Sequence, residues 1–143
     1  MGLDNYFGRD DIEKKKGEGA YKQEAFESAV AEVDFNGEDL TLSVIGMCSG
    51  TGPDGSFRGK AYADFVLNVT GESLYDERIE PETLIQMADR IEKWMAHPEL
   101  DIYKYIAANE PSWNTDTLLQ DWTKLAKLFR AFGKSGFYLT AWW

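Results

Sequence analysis

The chain has 143 residues, 43% hydrophobic and 14% aromatic, with 25 acids against 15 Lys and Arg and a formal net charge of -10. That much apolar material supports one buried core and excludes a chain disordered throughout. The negative field disfavours a general nucleic-acid binder. No apolar run approaches the roughly eighteen residues of a membrane span, and Met1–Gly8 lacks the basic start and apolar stretch of a signal peptide. Cys48 is the only cysteine, so no internal disulfide can form. The expectation is a cytoplasmic protein that meets neither membrane nor nucleic acid directly and carries no metal or cofactor.

The charge is unevenly spread. Residues 1–40 hold 11 acids and 5 bases, and residues 72–101 hold 9 acids and 3 bases. Residues 41–71 are neutral, and residues 102–143 have 3 acids against 5 bases. Two acidic stretches therefore flank a neutral one.

In chain order, residues 1–22 read as a polar, mobile lead-in, with Leu3, Tyr6 and Phe7 available to dock on the globular part, residues 23–143. Phe26, Ala29, Val30 and Val33 fall at helical spacing. Asn36-Gly37 offers the competing reading of a strand hairpin. Leu40–Ile45 alternates and is rich in strand formers, so it predicts a strand.

Between Gly46 and Lys60 stand five of the 13 glycines. Tyr62, Phe65, Val66 and Val69 then predict a helix, with Ser56 to cap it and Gly71 to close it. Pro81 opens a second helix whose buried stripe is Leu84, Met87, Ala88, Ile91 and Met95; His97-Pro98 ends it. Leu100–Ile106 is aromatic and ambiguous, and Asn109–Thr115 reads as a loop. A third helix carries Leu118, Leu119, Trp122, Leu125, Ala126, Phe129 and Phe132 inward and stops at Gly133. Phe137–Trp143 has strand composition. The fold class is α+β: one compact domain with three or four helices on a small, mainly antiparallel sheet, its last strand beside residues 40–45.

The glycine segment is the leading candidate site. Gly50-Thr-Gly52-Pro-Asp-Gly55 matches G-x-G-x-x-G between a strand and a helix. A dinucleotide fold also needs an acid-bearing parallel strand soon after, which Gly71–Pro81 cannot supply, and Pro53 removes a donor from the cradle. Gly59-Lys60-Ala61 fails as a phosphate-binding P-loop because Ala61 stands where Ser or Thr would hold magnesium. What remains is an anion cradle of loop amides, with Gly50, Gly52, Gly55, Ser56, Arg58 and Lys60 binding a nucleotide-like small molecule and Ser49 and Thr51 assisting. The alternative reading is a tight connection whose glycines permit close packing, with Arg58 paired to Asp54 or Asp64.

Lys124, Lys127 and Arg130 form a secondary anion surface along the third helix. The sole histidine, His97, excludes multi-histidine zinc sites and HExxH proteases. A Cys48–His97 pair or two carboxylates would make an enzyme. The expectation leans away from catalysis, toward a binding protein for an anionic ligand. An acidic interaction or inhibitor module for a basic protein partner, of the kind compact acidic proteins of mobile elements provide, is the alternative.

Overall fold

Two five-residue strands form the middle of the sheet. β1 (Asp4–Gly8) and a carboxy-terminal strand, Tyr138–Trp142, pair antiparallel from Asp4 opposite Trp142 to Gly8 opposite Tyr138. Two-residue strands close both sides, with β2 (Ser56–Phe57) beside β1 and β3 (Arg78–Ile79) beside the last strand, β4, so the order is β2-β1-β4-β3, all antiparallel. This structure, a computed structural model, describes residues 3–13, 21–44, 50–97 and 115–142. The readings of Leu100–Ile106 and of the loop ahead of Thr115 fall outside those residues, as do Cys48 and Ser49.

The sheet corrects two expectations. The neighbours of β4 are β1 and β3, not residues 40–45. Among residues 40–44 the alternation does turn Leu40 and Leu42 inward, but no ladder forms. Leu42 N–H donates to Thr51 O (2.8 Å), and the Thr41 and Ser43 amides go to the carboxylates of Asp39 and Asp121. Period-two burial places side chains; it does not supply a partner strand.

β1 comes from the segment read as a polar lead-in. Asp4, Asn5 and Gly8 are poor strand formers by composition, yet Leu3, Asn5 and Phe7 all face the core and are buried. Asn5 Nδ2 donates to Leu74 O (3.0 Å) and Thr140 O (3.3 Å), and Leu3 O accepts from Lys60 N–H (3.2 Å). Tertiary contacts override local propensity here.

The helices follow the sequence closely. After the one-turn α1 (Asp10–Glu13), α2 spans Tyr21–Ala31, so the helical spacing of Ala29 and Val30 prevails over the hairpin. Asn36 and Gly37 do turn, both with left-handed φ (56° and 74°), but they join α2 to an irregular segment. α3 (Ala63–Thr70) closes on Gly71, whose φ of 80° suits glycine and whose N–H donates to Leu67 O. Arg90 Nη1 donates to Thr70 O, placing a cation at the negative helix end. Ser56 does not cap α3; it lies in β2, a short 3₁₀ turn (Gly59–Ala61) intervenes, and Tyr62 holds the cap position without a side-chain bond.

α4 (Pro81–Ala96) starts with Pro81 as expected and buries Leu84, Met87, Ala88, Ile91 and Trp94, while Met95 is half-buried. α5 (Thr115–Lys134) runs through Gly133. Gly133 serves α4: a Cβ there would lie 2.8 Å from Pro81 O. The stop is Gly136 (φ 82°). Its N–H reaches Gly133 O, Phe137 N–H reaches Phe132 O, and the two phenylalanine rings meet edge-on at 5.2 Å.

Helices and sheet enclose an aromatic core. Phe7 stacks on Phe132 (3.9 Å, 4°), tying β1 to α5. Phe65 stacks on Trp122 (4.0 Å, 3°), and Trp94 meets both edge-on, tying α3, α4 and α5 together. The result is one α+β domain.

Candidate functional site

The glycine segment is a folded turn against β1. Gly52 and Gly55 take φ of 110° and 100°, conformations that side chains disfavour. Gly52 N–H donates to Ser56 O (2.8 Å), Gly55 N–H to Gly52 O (2.9 Å) and Gly50 N–H to Ser56 Oγ (2.6 Å). Thr51 N–H donates to Asp54 Oδ1 (3.2 Å). Gly55 O in turn accepts from Phe7 N–H (2.8 Å), and Lys60 N–H from the far end of the segment donates to Leu3 O. The Gly50, Thr51, Gly52, Gly55 and Lys60 amides are therefore engaged by the protein's own acceptors.

Side chains add to this. The Asp54 carboxylate lies over Gly50, where a Cβ would collide with it, so a negative group stands beside the proposed cradle. At Gly59 a Cβ would collide with Asn5 Oδ1, which has no hydrogen-bond partner among the described residues and rests against the bare Cα. Arg58 Nη1 lies 3.4 Å from Asp4 Oδ1, an acid of β1 rather than Asp54 or Asp64. Asp4 is buried, so the guanidinium points back into the sheet. Lys60 is exposed and forms no ion pair among the described residues.

The basic face of α5 is elsewhere. Lys124 Nζ donates to Thr41 O (3.0 Å), Lys127 Nζ to Glu38 Oε1 (2.6 Å), and Arg130 to Asp89 (2.6 Å) and Glu92 (2.8 Å) of α4. Their partners lie on residues 38–41 and α4, whereas Arg58 looks to β1. The two basic groups do not share a partner. Hydrogen bonding to Arg130 holds Asp89 below the usual carboxylate range, and Asp89 followed by Glu92 pushes the Arg130 guanidinium up. Arg78 is held likewise, chelating Asp10 (2.9 Å to each oxygen) and Glu80 (2.6 Å) with its carbon 3.9 Å above the Tyr138 ring.

One feature was not singled out in the sequence, and a second was read there only as the acidic stretch of residues 72–101. Asp121 is 1% exposed, and its carboxylate accepts from Ser43 N–H, Ser43 Oγ (2.5 Å) and Tyr62 O–H (2.9 Å), with no cation against it among the described residues. Its position between Leu118 and Leu125 on the inward stripe was the available signal. The other is a stretch of unpaired acids. Asp64 on α3 and Glu72, Asp76 and Glu77 after it form no ion pair among the described residues, and Leu67 (50% exposed) and Tyr75 (44%) stand between them. Acids further along, Glu80, Asp89 and Glu92, are bound to Arg78 and Arg130.

His97 is exposed at the end of α4, and no group of three or more His, Cys, Asp or Glu placed to hold a metal occurs among the described residues. No described helix is long and apolar enough to cross a membrane. No protein-family model, curated protein or solved structure matches this chain.

Proposed function

We propose that the protein is an acidic interaction module that presents the stretch from Asp64 to Glu77 to a basic protein surface. One observation carries the reading. The arginines at positions 9, 58, 78 and 130 are bound to the chain's own acids, whereas Asp64, Glu72, Asp76 and Glu77 have no cation among the described residues. Charges of one sign left unpaired around exposed apolar groups favour a partner of the opposite sign. Leu67 and Tyr75 supply the apolar contact such an interface buries. The inward-turned amides of residues 50–60 give less support to a ligand cradle there.

The test is capture of a basic partner from the producing cells on immobilised protein. Retention of a stoichiometric partner that salt elutes is expected, because exposed charge pairs are screened within about 10 Å at 0.1 M salt. Reversal of Asp64, Asp76 and Glu77 to lysine should abolish retention, whereas Arg58→Ala with Lys60→Ala should leave it intact. Retention that survives the reversal, or that salt does not weaken, overturns the reading.

A further inference from the structure

A cavity of about 180 Å³ opens between the segment after α2 and the last turns of α5. One wall carries Asp34 and Glu38; the other carries Lys127, Arg130 and Lys134, with Phe35 and Leu40 as apolar lining. A second, wider cavity of about 470 Å³ adjoins it, and Glu38, Leu40 and Lys127 line both. The Lys127–Glu38 ion pair (2.6 Å) thus stands at their junction, its side chains 39% and 46% exposed.

We propose that the smaller cavity binds a free α-amino acid with an apolar side chain, its carboxylate toward α5 and its ammonium toward Glu38 and Asp34. The charges favour this class over a plain anion. An anion entering here can take the Arg130 Nη1 donors and Lys134, but it also faces the carboxylates of Glu38 and Asp34 across the cavity. A zwitterion adds an ammonium that those two carboxylates can accept, so each of its two charges meets the opposite sign.

Donors for the carboxylate are in place. Arg130 holds Asp89 and Glu92 through Nε and Nη2, which leaves the Nη1 donors without a described acceptor. Lys134 is exposed and forms no ion pair among the described residues. The side chain would lie on Phe35 and Leu40. Size agrees: the cavity equals about six waters at ~30 Å³ each, below the ~300 Å³ at which pockets for drug-sized ligands begin. Because the Lys127–Glu38 pair is exposed, separating it is inexpensive. This inference is independent of the Asp64–Glu77 surface.

The experiment titrates leucine, phenylalanine, N-acetylleucine and leucine amide into the protein by calorimetry, with chemical-shift mapping of residues 34–40 and 127–135. Leucine should saturate with a Kd on the order of 1 mM or tighter, and the two blocked forms should bind at least about tenfold more weakly. Glu38→Gln and Lys127→Gln, each confirmed folded by thermal melting, should weaken leucine by about tenfold or more, while Asp76→Asn should not. Equal binding of N-acetylleucine, strengthened by Glu38→Gln, would mean a plain anion site and overturn the proposal. Failure of leucine and phenylalanine to saturate would overturn it as well.

Discussion

Residues 50–60 and residues 64–77 adjoin in the chain and behave in opposite ways. The first is rich in backbone donors and carries two cations, but five of its amides, those of Gly50, Thr51, Gly52, Gly55 and Lys60, bond within the fold and its arginine turns to Asp4. The second is an ordinary helix and turn whose acids have no cation among the described residues. Glycine in the first answers close packing, because Phe26 and Val30 of α2 crowd Gly55 and Asn5 of β1 crowds Gly59. The second, of ordinary composition, is where the proposed interface rests, on Asp64, Glu72, Asp76 and Glu77. A segment's chemistry is available to a partner only after the fold has satisfied its own donors and acceptors.

The sharpest way to break this comparison is Gly59→Ala. If the turn exists for packing, the added methyl meets Asn5 Oδ1 in the core and the protein should lose about 3 kcal/mol or more in urea unfolding. A neutral result would free the segment for a role in binding. Next is Asp121→Ala, which strands the donors of Ser43 and Tyr62 behind the turn and should destabilise by about 2–3 kcal/mol. Tyr62→Phe, which removes only one of those donors, should lose about 1 kcal/mol.

A smaller effect is expected in acid. Asp11, Asp39 and Asp89 are held below the usual carboxylate range, by Arg9, Thr41 and Arg130 respectively. A depressed native pKa means the unfolded chain takes up protons first, so their stabilisation is complete above about pH 4 and fades as pH falls through the lowered values. Arg130→Met should make that acid limb shallower, as read by urea midpoints at neutral and acid pH. An unchanged limb would show that the ion pair is idle.

The smallest effect belongs to the open side of the comparison. Asp76→Asn with Glu77→Gln removes charges that have no described cation, so stability should move by no more than about 0.5 kcal/mol, toward greater stability. A clear loss would mean these acids are structurally engaged and would weaken the interface reading.

Much of the helical part was legible in the sequence. Periodicity placed α3, α4 and α5, and Gly71 and Pro81 marked ends that hold in the structure. The sheet was harder to read, because β1 is made of Asp, Asn, Tyr, Phe and Gly and is selected by partners far along the chain. Leu40 and Leu42 showed the converse, since their alternation records burial without pairing. Gly133 looked like a helix stop because its close approach to Pro81 cannot be seen locally. At the candidate sites, the sequence identified residues capable of holding anions. It could not reveal that Ser56, Asp54 and Asp4 would satisfy them, because that depends on turn geometry and on β1.

The pairing of β1 with β4 has a consequence for how the chain acquires its shape. Asn5 and Thr140, joined by a hydrogen bond, are 135 positions apart. Closing so large a loop is entropically unfavourable, and such non-local pairing slows folding relative to helical proteins of similar size. The α4–α5 pair can assemble early from nearby segments, whereas the sheet must wait for both distant strands. During that interval the aromatic faces of Phe7 and Phe132 lack each other, which makes this the stage at which assistance from a chaperone would matter most.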